Sequence, residues 1–112
     1  MKREMNNHFY QVEKLIREQQ ASGRPYHEFL RVPAMSAGVY FLPKGSKDGQ
    51  SPHQEDEMYY VVSGKAKMVI GSEHADVAAG SVIFVEAKVE HRFYDIQQDL
   101  LVLVFFAPAE QM

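Results

Sequence analysis

Apolar residues recur with a helical period near the start of the chain and with strand-like alternation through the rest. In NNHFYQVEKLIREQQASG (6–23), Phe9, Val12 and Ile16 fall on one face with Leu15 beside them, and charged residues fill the other. This i, i+3, i+7 spacing predicts one amphipathic helix lying against the main domain or a partner subunit. Asn6 or Asn7 can cap its start, and Gly23 and Pro25 supply its stop. After Pro33 the period changes. SAGVYFLP, MYYVV, KAKMVI, HADV, SVIFV, HRFYDI and QDLLVLVFFAP follow one another as short apolar runs. Between them stand KGSKDGQSP, Ser63-Gly64, Gly71-Ser72, Ala79-Gly80 and EAKVE. Closely spaced runs rich in Val, Ile, Tyr and Phe, each ended by turn residues, predict an all-β barrel or sandwich. The expected organisation is a helix and arm over 1–34 and a β-barrel over 35–112.

One run is apolar on both faces. Tyr59 and Val61 share a face with Glu57, while Met58, Tyr60 and Val62 point the other way. A strand buried on both sides needs a second layer, the helix or another subunit over its outside. Together with one face of LLVLVFF and the exposed edges of a small sheet, this predicts a homodimer.

Composition narrows the classes. The chain has 112 residues, 46% hydrophobic and 24% charged, which fits one domain with a modest core. A net charge of -3 and the lack of a basic cluster argue against nucleic acid as a partner. With no cysteine, disulfides and thiolate metal sites are excluded, so a metal would need nitrogen and oxygen ligands. The start is polar, and the longest apolar run, LLVLVFFA, falls far short of the roughly 18 residues of a membrane span. A cytoplasmic protein without a membrane partner is the expectation.

Candidate chemistry concentrates in SPHQEDEMYYVVSG (51–64). His53 and Glu57 are four apart, so both can point inward if the strand starts early. His91 opens HRFYDI with the parity of Phe93 and Asp95. Two histidines and one carboxylate from different strands form the ligand set of a 2-His-1-carboxylate metal site. Each residue also has a plainer reading, as a solvated turn acid or a satisfied polar group. Glu55 and Asp56 read as a solvated acidic turn, and His8, His27 and His74 as surface residues.

The spacing of these residues resembles the cupin family. Its first motif runs Gly, five residues, His-x-His, three or four residues, Glu, six residues, Gly. Here His53 takes the second histidine place, Glu57 the acid place and Gly64 the closing glycine. The second motif runs Gly, five residues, Pro-x-Gly, two residues, His, three residues, Asn. Gly80 opens it, His91 holds the histidine place and Asp95 stands where Asn is usual. Ser51 replaces the first histidine, Glu86 and Lys88 replace the Pro and Gly, and the leading Gly of the first motif is not at its usual place. The resemblance covers Tyr40 to Pro108 and implies a cupin (double-stranded β-helix or jelly-roll) barrel with an N-terminal helix. It also implies a divalent transition metal (Fe, Mn, Ni, Co or Zn) on His53, Glu57 and His91. Gln50, beside the vacant ligand place, is a candidate fourth ligand, with Ser51 or water as the alternatives. Tyr40, Tyr59 and Phe93 are candidate walls of a substrate pocket, and equally candidates for plain core.

The implied function is a metal-dependent enzyme of dioxygenase, isomerase or decarboxylase type acting on a small oxygen-rich molecule. A non-catalytic ligand-binding or sensory module is the alternative. A metal-free isomerase or epimerase, with His53 or His91 as acid-base groups, is a third.

Overall fold

The computed structural model describes residues 8–111. Strand-period segments dominate it. The strands are β1 (Tyr26–Val32), β2 (Met35–Leu42), β3 (Asp56–Ile70), β4 (Glu73–Ala78), β5 (Val82–Val85) and β6 (His91–Ala107). One helix, α1 (Val12–Ser22), precedes them. All strand pairings are antiparallel, in the order β1-β2-β6-β3-β4, with β5 also on β3.

Two long strands hold the barrel together. The first half of β3 pairs with the end of β6 and with β5, and its second half pairs with the start of β6 and with β4. Between the halves the pairing slips at Val61/Ser63, Ser63/Lys65 and Lys65/Lys67. Such bulges bend a strand and change which parity faces inward. Glu57, Tyr59 and Val61 point inward before the slip, and Ala66 and Met68 after it. Gly64 sits at the bend with φ 102, and a Cβ there would run into the Asp99 carbonyl oxygen. Ser63-Gly64 therefore does not end a strand, as its turn chemistry suggested; it bends one continuous strand. β6 does the same at Asp95 (φ 46), where burial passes from His91 and Phe93 to Ile96, Leu100 and Val102. Asp tolerates this left-handed conformation better than most residues, as the Asn usual at that motif place does. Asp95 itself is exposed.

The inward residues of both halves make one core, including Tyr59, Val61, Met68, Val85, Phe93, Leu100 and Phe106. A second cluster lies on the outer face, where Leu15 and Ile16 of α1 pack on Val39, Leu101 and Val62. The helix thus covers part of the outer apolar face. Met58 and Tyr60 stay partly exposed beside Val82 (63%) and Phe84 (56%), their register partners on β5.

Three expectations change at the N-terminal end. The helix begins at Val12, so Phe9 lies outside it and is fully exposed. Gln11 occupies the N-cap place without a side-chain cap bond, and Asn6 and Asn7 lie outside the described residues. The arm before residue 35 contributes a strand, because YHEFLRV pairs along β2 as β1. Its mixed polar content is that of a sheet edge, with a neighbour on one side only.

Replacing Gly64 by Ala adds a Cβ at a strained φ and against backbone that cannot rotate away. Gly64→Ala is expected to cost about 2–5 kcal/mol, the sum of left-handed strain and overpacking. Urea unfolding measures it, and a wild-type midpoint would contradict the bend.

Candidate metal centre

A polar group inside a barrel is costly unless something satisfies it, so the buried ionisable residues mark the site. Glu57 (2% exposed) points inward from the first half of β3, and His91 (6% exposed) from the start of β6. Glu57 pairs in register with Phe106 and His91 with Ile70, so the two belong to different halves of the barrel. The bends of β3 and β6 bring them together, with His91 Nε2 2.9 Å from Glu57 Oε1. His53 arrives on the loop before β3, its Nε2 3.8 Å from the same oxygen. The ligand atoms of all three lie within 4.8 Å of one another.

Each partner atom is aimed from behind. His91 Nδ1 donates to the Val89 carbonyl oxygen at 2.9 Å, which leaves Nε2 as the atom facing Glu57. Gln50 Nε2 donates to Asp48 Oδ2 at 2.7 Å, which turns Oε1 toward the site. That oxygen accepts from the Tyr59 hydroxyl at 2.9 Å and lies 3.0 Å from His53 Nε2. Tyr59 OH in turn lies 3.2 Å from His91 Nε2.

Glu57 is the exception. Both of its carboxylate oxygens are buried without an aligned hydrogen-bond donor. The 2.9 Å approach of His91 is a charge contact that lacks hydrogen-bond alignment. A divalent cation would satisfy such a carboxylate, and the donor spacing suits one. Ligands at right angles on bonds of about 2.1 Å lie about 3 Å apart. Gln50 to His53 (3.0 Å) and His91 to Glu57 (2.9 Å) match that edge, and His53 to Glu57 is somewhat wider.

Burial sets the protonation of the surrounding hydroxyls. It raises the pKa of Tyr59 well above the usual value, with the negative charge of Glu57 adding to it. Tyr26 and Tyr40 are raised for the same first reason, reinforced by Glu110 and Asp48 respectively. All three stay protonated donors at neutral pH. Burial alone would lower the pKa of His91; contact with Glu57 and the Val89 carbonyl outweighs it and leaves His91 raised above 6.5. Glu110 is raised, chiefly by burial.

A cavity of about 190 Å3 opens beside the cluster, walled by Tyr26, Tyr40, Tyr59, Val104, Phe106 and the cluster itself. Tyr40 and Tyr59 thus line it, with Tyr40 OH donating to Asp48 Oδ1 at 2.8 Å. Phe93 is not among its walls. It lies in the core edge-on to Tyr59, ring centroids 5.0 Å apart, and reaches the site only through that ring.

Three features escaped the sequence pattern. Asp48 is buried and accepts from Tyr40 OH, Gln50 Nε2, the Gln50 amide and the Phe93 amide. Glu55 is buried as well, contrary to a solvated turn, because it accepts from the Gln111 amide at 3.2 Å. Asp56 is exposed but accepts from the Ala87 amide at 2.9 Å. The third is Gly45 (φ 76), which opens the first motif with five residues between it and Ser51, so the leading glycine stands at its usual place after all; counting back from Ser51 finds it. Ser51 is exposed, and Gln50 occupies that side of the cluster. Lys88 takes the left-handed conformation (φ 70) at the place where the second motif has glycine. Its amide donates to the His53 carbonyl oxygen at 2.7 Å, which ties the histidine loop to the turn before β6. His8 and His74 are exposed, and His27 is half-buried.

Barrel and cluster together define a small β-barrel protein with two histidines and a carboxylate converging inside it. A family model described as a cupin domain matches residues 38–106, and the chain belongs to that family. It is 46% identical over 101 residues to the uncharacterized protein SCO3923 of Streptomyces coelicolor, covering 90% of this chain and 96% of that one. An RmlC-like cupin from Shewanella frigidimarina shares the fold at 20% identity and TM-score 0.67, over 75% of each chain. So does the DMSP lyase DddQ from Ruegeria pomeroyi, at 16% identity and TM-score 0.66, over 74% of this chain and 47% of that one.

The raised His91 pKa gives a signed pH dependence. A protonated His91 beside Glu57 stabilises the metal-free fold fully below 6.5, and that contribution is lost as pH rises through the raised value. The melting temperature of chelator-treated protein is expected to fall as pH rises through that window. A flat or rising profile there would contradict the pairing.

Proposed function

We propose that this chain is a small metal-dependent cupin whose ion is held by His53, Glu57 and His91, with the Gln50 amide oxygen as fourth ligand. The observation that carries the reading is the buried Glu57 carboxylate, without a hydrogen-bond donor and faced by two imidazole Nε2 atoms. A divalent ion bound there supplies a Lewis acid and a template for substrate oxygens, suited to oxidation, isomerisation or decarboxylation of an enolisable ketone or hydroxy acid.

The chain's own residues divide the remaining work. Glu57 acts as a ligand and is not free as a base. Tyr40 and Tyr59 are tied to Asp48 and Gln50, so they position the wall. The Tyr26 hydroxyl is buried on the cavity without a partner and is the donor available to a ligand oxygen. Val104 and Phe106 form an apolar wall that limits water around a bound molecule. A DMSP lyase on this fold supports an enzymatic reading for a chain of this architecture. The engagement of Tyr40 and Tyr59 within the protein favours, as a second reading, a ligand-binding module without turnover.

Purification without chelator is expected to yield about one transition-metal ion per chain by elemental analysis. His91→Ala and Glu57→Ala are each expected to abolish that content, and Gln50→Ala to weaken affinity by roughly tenfold. Metal content unchanged in His91→Ala would sink the proposal. Oxygen uptake or turnover on small diketones and hydroxy acids separates the enzyme from the binding module.

A cytoplasmic homodimer completes the proposal. Among the described residues, no helix is long and apolar enough to cross a membrane. The apolar group Met58, Tyr60, Val82 and Phe84 lies on the short strand β5 and the strand beside it, a surface suited to a second copy. Light scattering at micromolar concentration is expected to give a dimer mass, and Tyr60→Glu with Phe84→Glu a monomer. A wild-type monomer would contradict it.

A further inference from the structure

The two histidines reach the cluster by different means. His91 starts a strand, and a main-chain carbonyl holds its Nδ1. His53 rides on a loop with its side chain 19% exposed, and no main-chain carbonyl holds its Nδ1. What meets its Nδ1 is a carboxylate from the far end of the chain: Glu110 Oε2, at 3.1 Å.

Glu110 is held there by its main chain. The Ala109 amide donates to the Pro33 carbonyl oxygen in the turn between β1 and β2 (3.3 Å). The Glu110 amide donates to Ser36 Oγ (2.9 Å), and Arg31, itself clamped by both oxygens of Glu28, donates to the Glu110 carbonyl oxygen (2.8 Å). The Gln111 amide then reaches the buried Glu55. Four ties, three to the β1–β2 hairpin and one to Glu55, fix the segment after β6, and the Glu110 side chain lines the cavity with His53. Little backbone freedom remains to be lost when Glu110 meets the imidazole.

An ionised carboxylate only accepts hydrogen bonds. It therefore holds the proton on His53 Nδ1 and leaves the Nε2 lone pair directed at Glu57 and Gln50. Phe106 packs edge-on against the ring, with centroids 4.8 Å apart, and limits its rotation about the same axis. We propose that Glu110 is a positioning residue of the metal centre: from the C-terminal segment it orients His53 for ligation, as the Val89 carbonyl orients His91. The inference rests on the metal reading above and adds that docking of residues 108–111 and metal affinity are coupled.

The test is cobalt(II) titration against a competing chelator, with proton NMR of the cobalt-loaded protein in water. The wild type is expected to bind one cobalt and to show two exchangeable, strongly shifted imidazole N–H signals. Glu110→Ala is expected to keep the His91 signal, lose that of His53 by exchange with water, and bind cobalt 10–100-fold more weakly. Glu110→Gln retains an acceptor oxygen and is expected to recover the signal and part of the affinity. Wild-type affinity with both signals intact in Glu110→Ala would overturn the role of Glu110 while leaving the metal reading in place. A wild type that takes up no cobalt would remove the metal reading, and this role with it.

Discussion

The structure turns on a carboxylate that no hydrogen-bond donor among the described residues satisfies. Glu57 lies in the barrel interior with neither oxygen hydrogen-bonded. A buried charge left without hydrogen bonds costs several kcal/mol, and a plain core position would hold an apolar residue at no such cost. The cost falls where two imidazole nitrogens and an amide oxygen face the same point. The bends in β3 and β6 exist in the same region, since without them residues from the two halves of the barrel would not meet.

Around Glu57 every other donor atom has a partner behind it. Asp48 turns Gln50, the Val89 carbonyl turns His91, and Glu110 stands behind His53. Asp48 joins β2, the loop and β6 through four hydrogen bonds. It is a buried charge with its acceptor capacity filled, the opposite condition to Glu57. That contrast separates a carboxylate that supports the site from one that faces it. It also explains why Tyr40 and Tyr59, though they line the cavity, are committed within the protein, whereas the Tyr26 hydroxyl is not.

Local pattern carried the sequence a long way. The strands after residue 35 follow from alternation and turn residues. His53, Glu57 and His91 follow from parity combined with motif spacing, and the structure brings the three together. Local pattern failed where the physics is not local. Ser63-Gly64 has the composition of a turn, yet close approach to the Asp99 backbone makes it a bulge. YHEFLRV lacks clean alternation, and at the sheet edge its first five residues are all half-buried. Asp48, Glu55 and Glu110 owe their roles to hydrogen bonds spanning up to 79 residues of sequence, which no periodicity records. Phe93 has the parity of a pocket residue but lies a layer deeper, behind Tyr59.

The central claim is that Glu57 is buried without a hydrogen-bond donor because it is a metal ligand alongside two histidines. X-ray absorption at the edge of the bound metal tests it most directly, because outer-shell scattering from imidazole rings counts histidine ligands. The account predicts a first shell of nitrogen and oxygen alone, at about 2.1 Å, with outer-shell scattering from two imidazoles. A first shell with no imidazole contribution, or with only one, would contradict it.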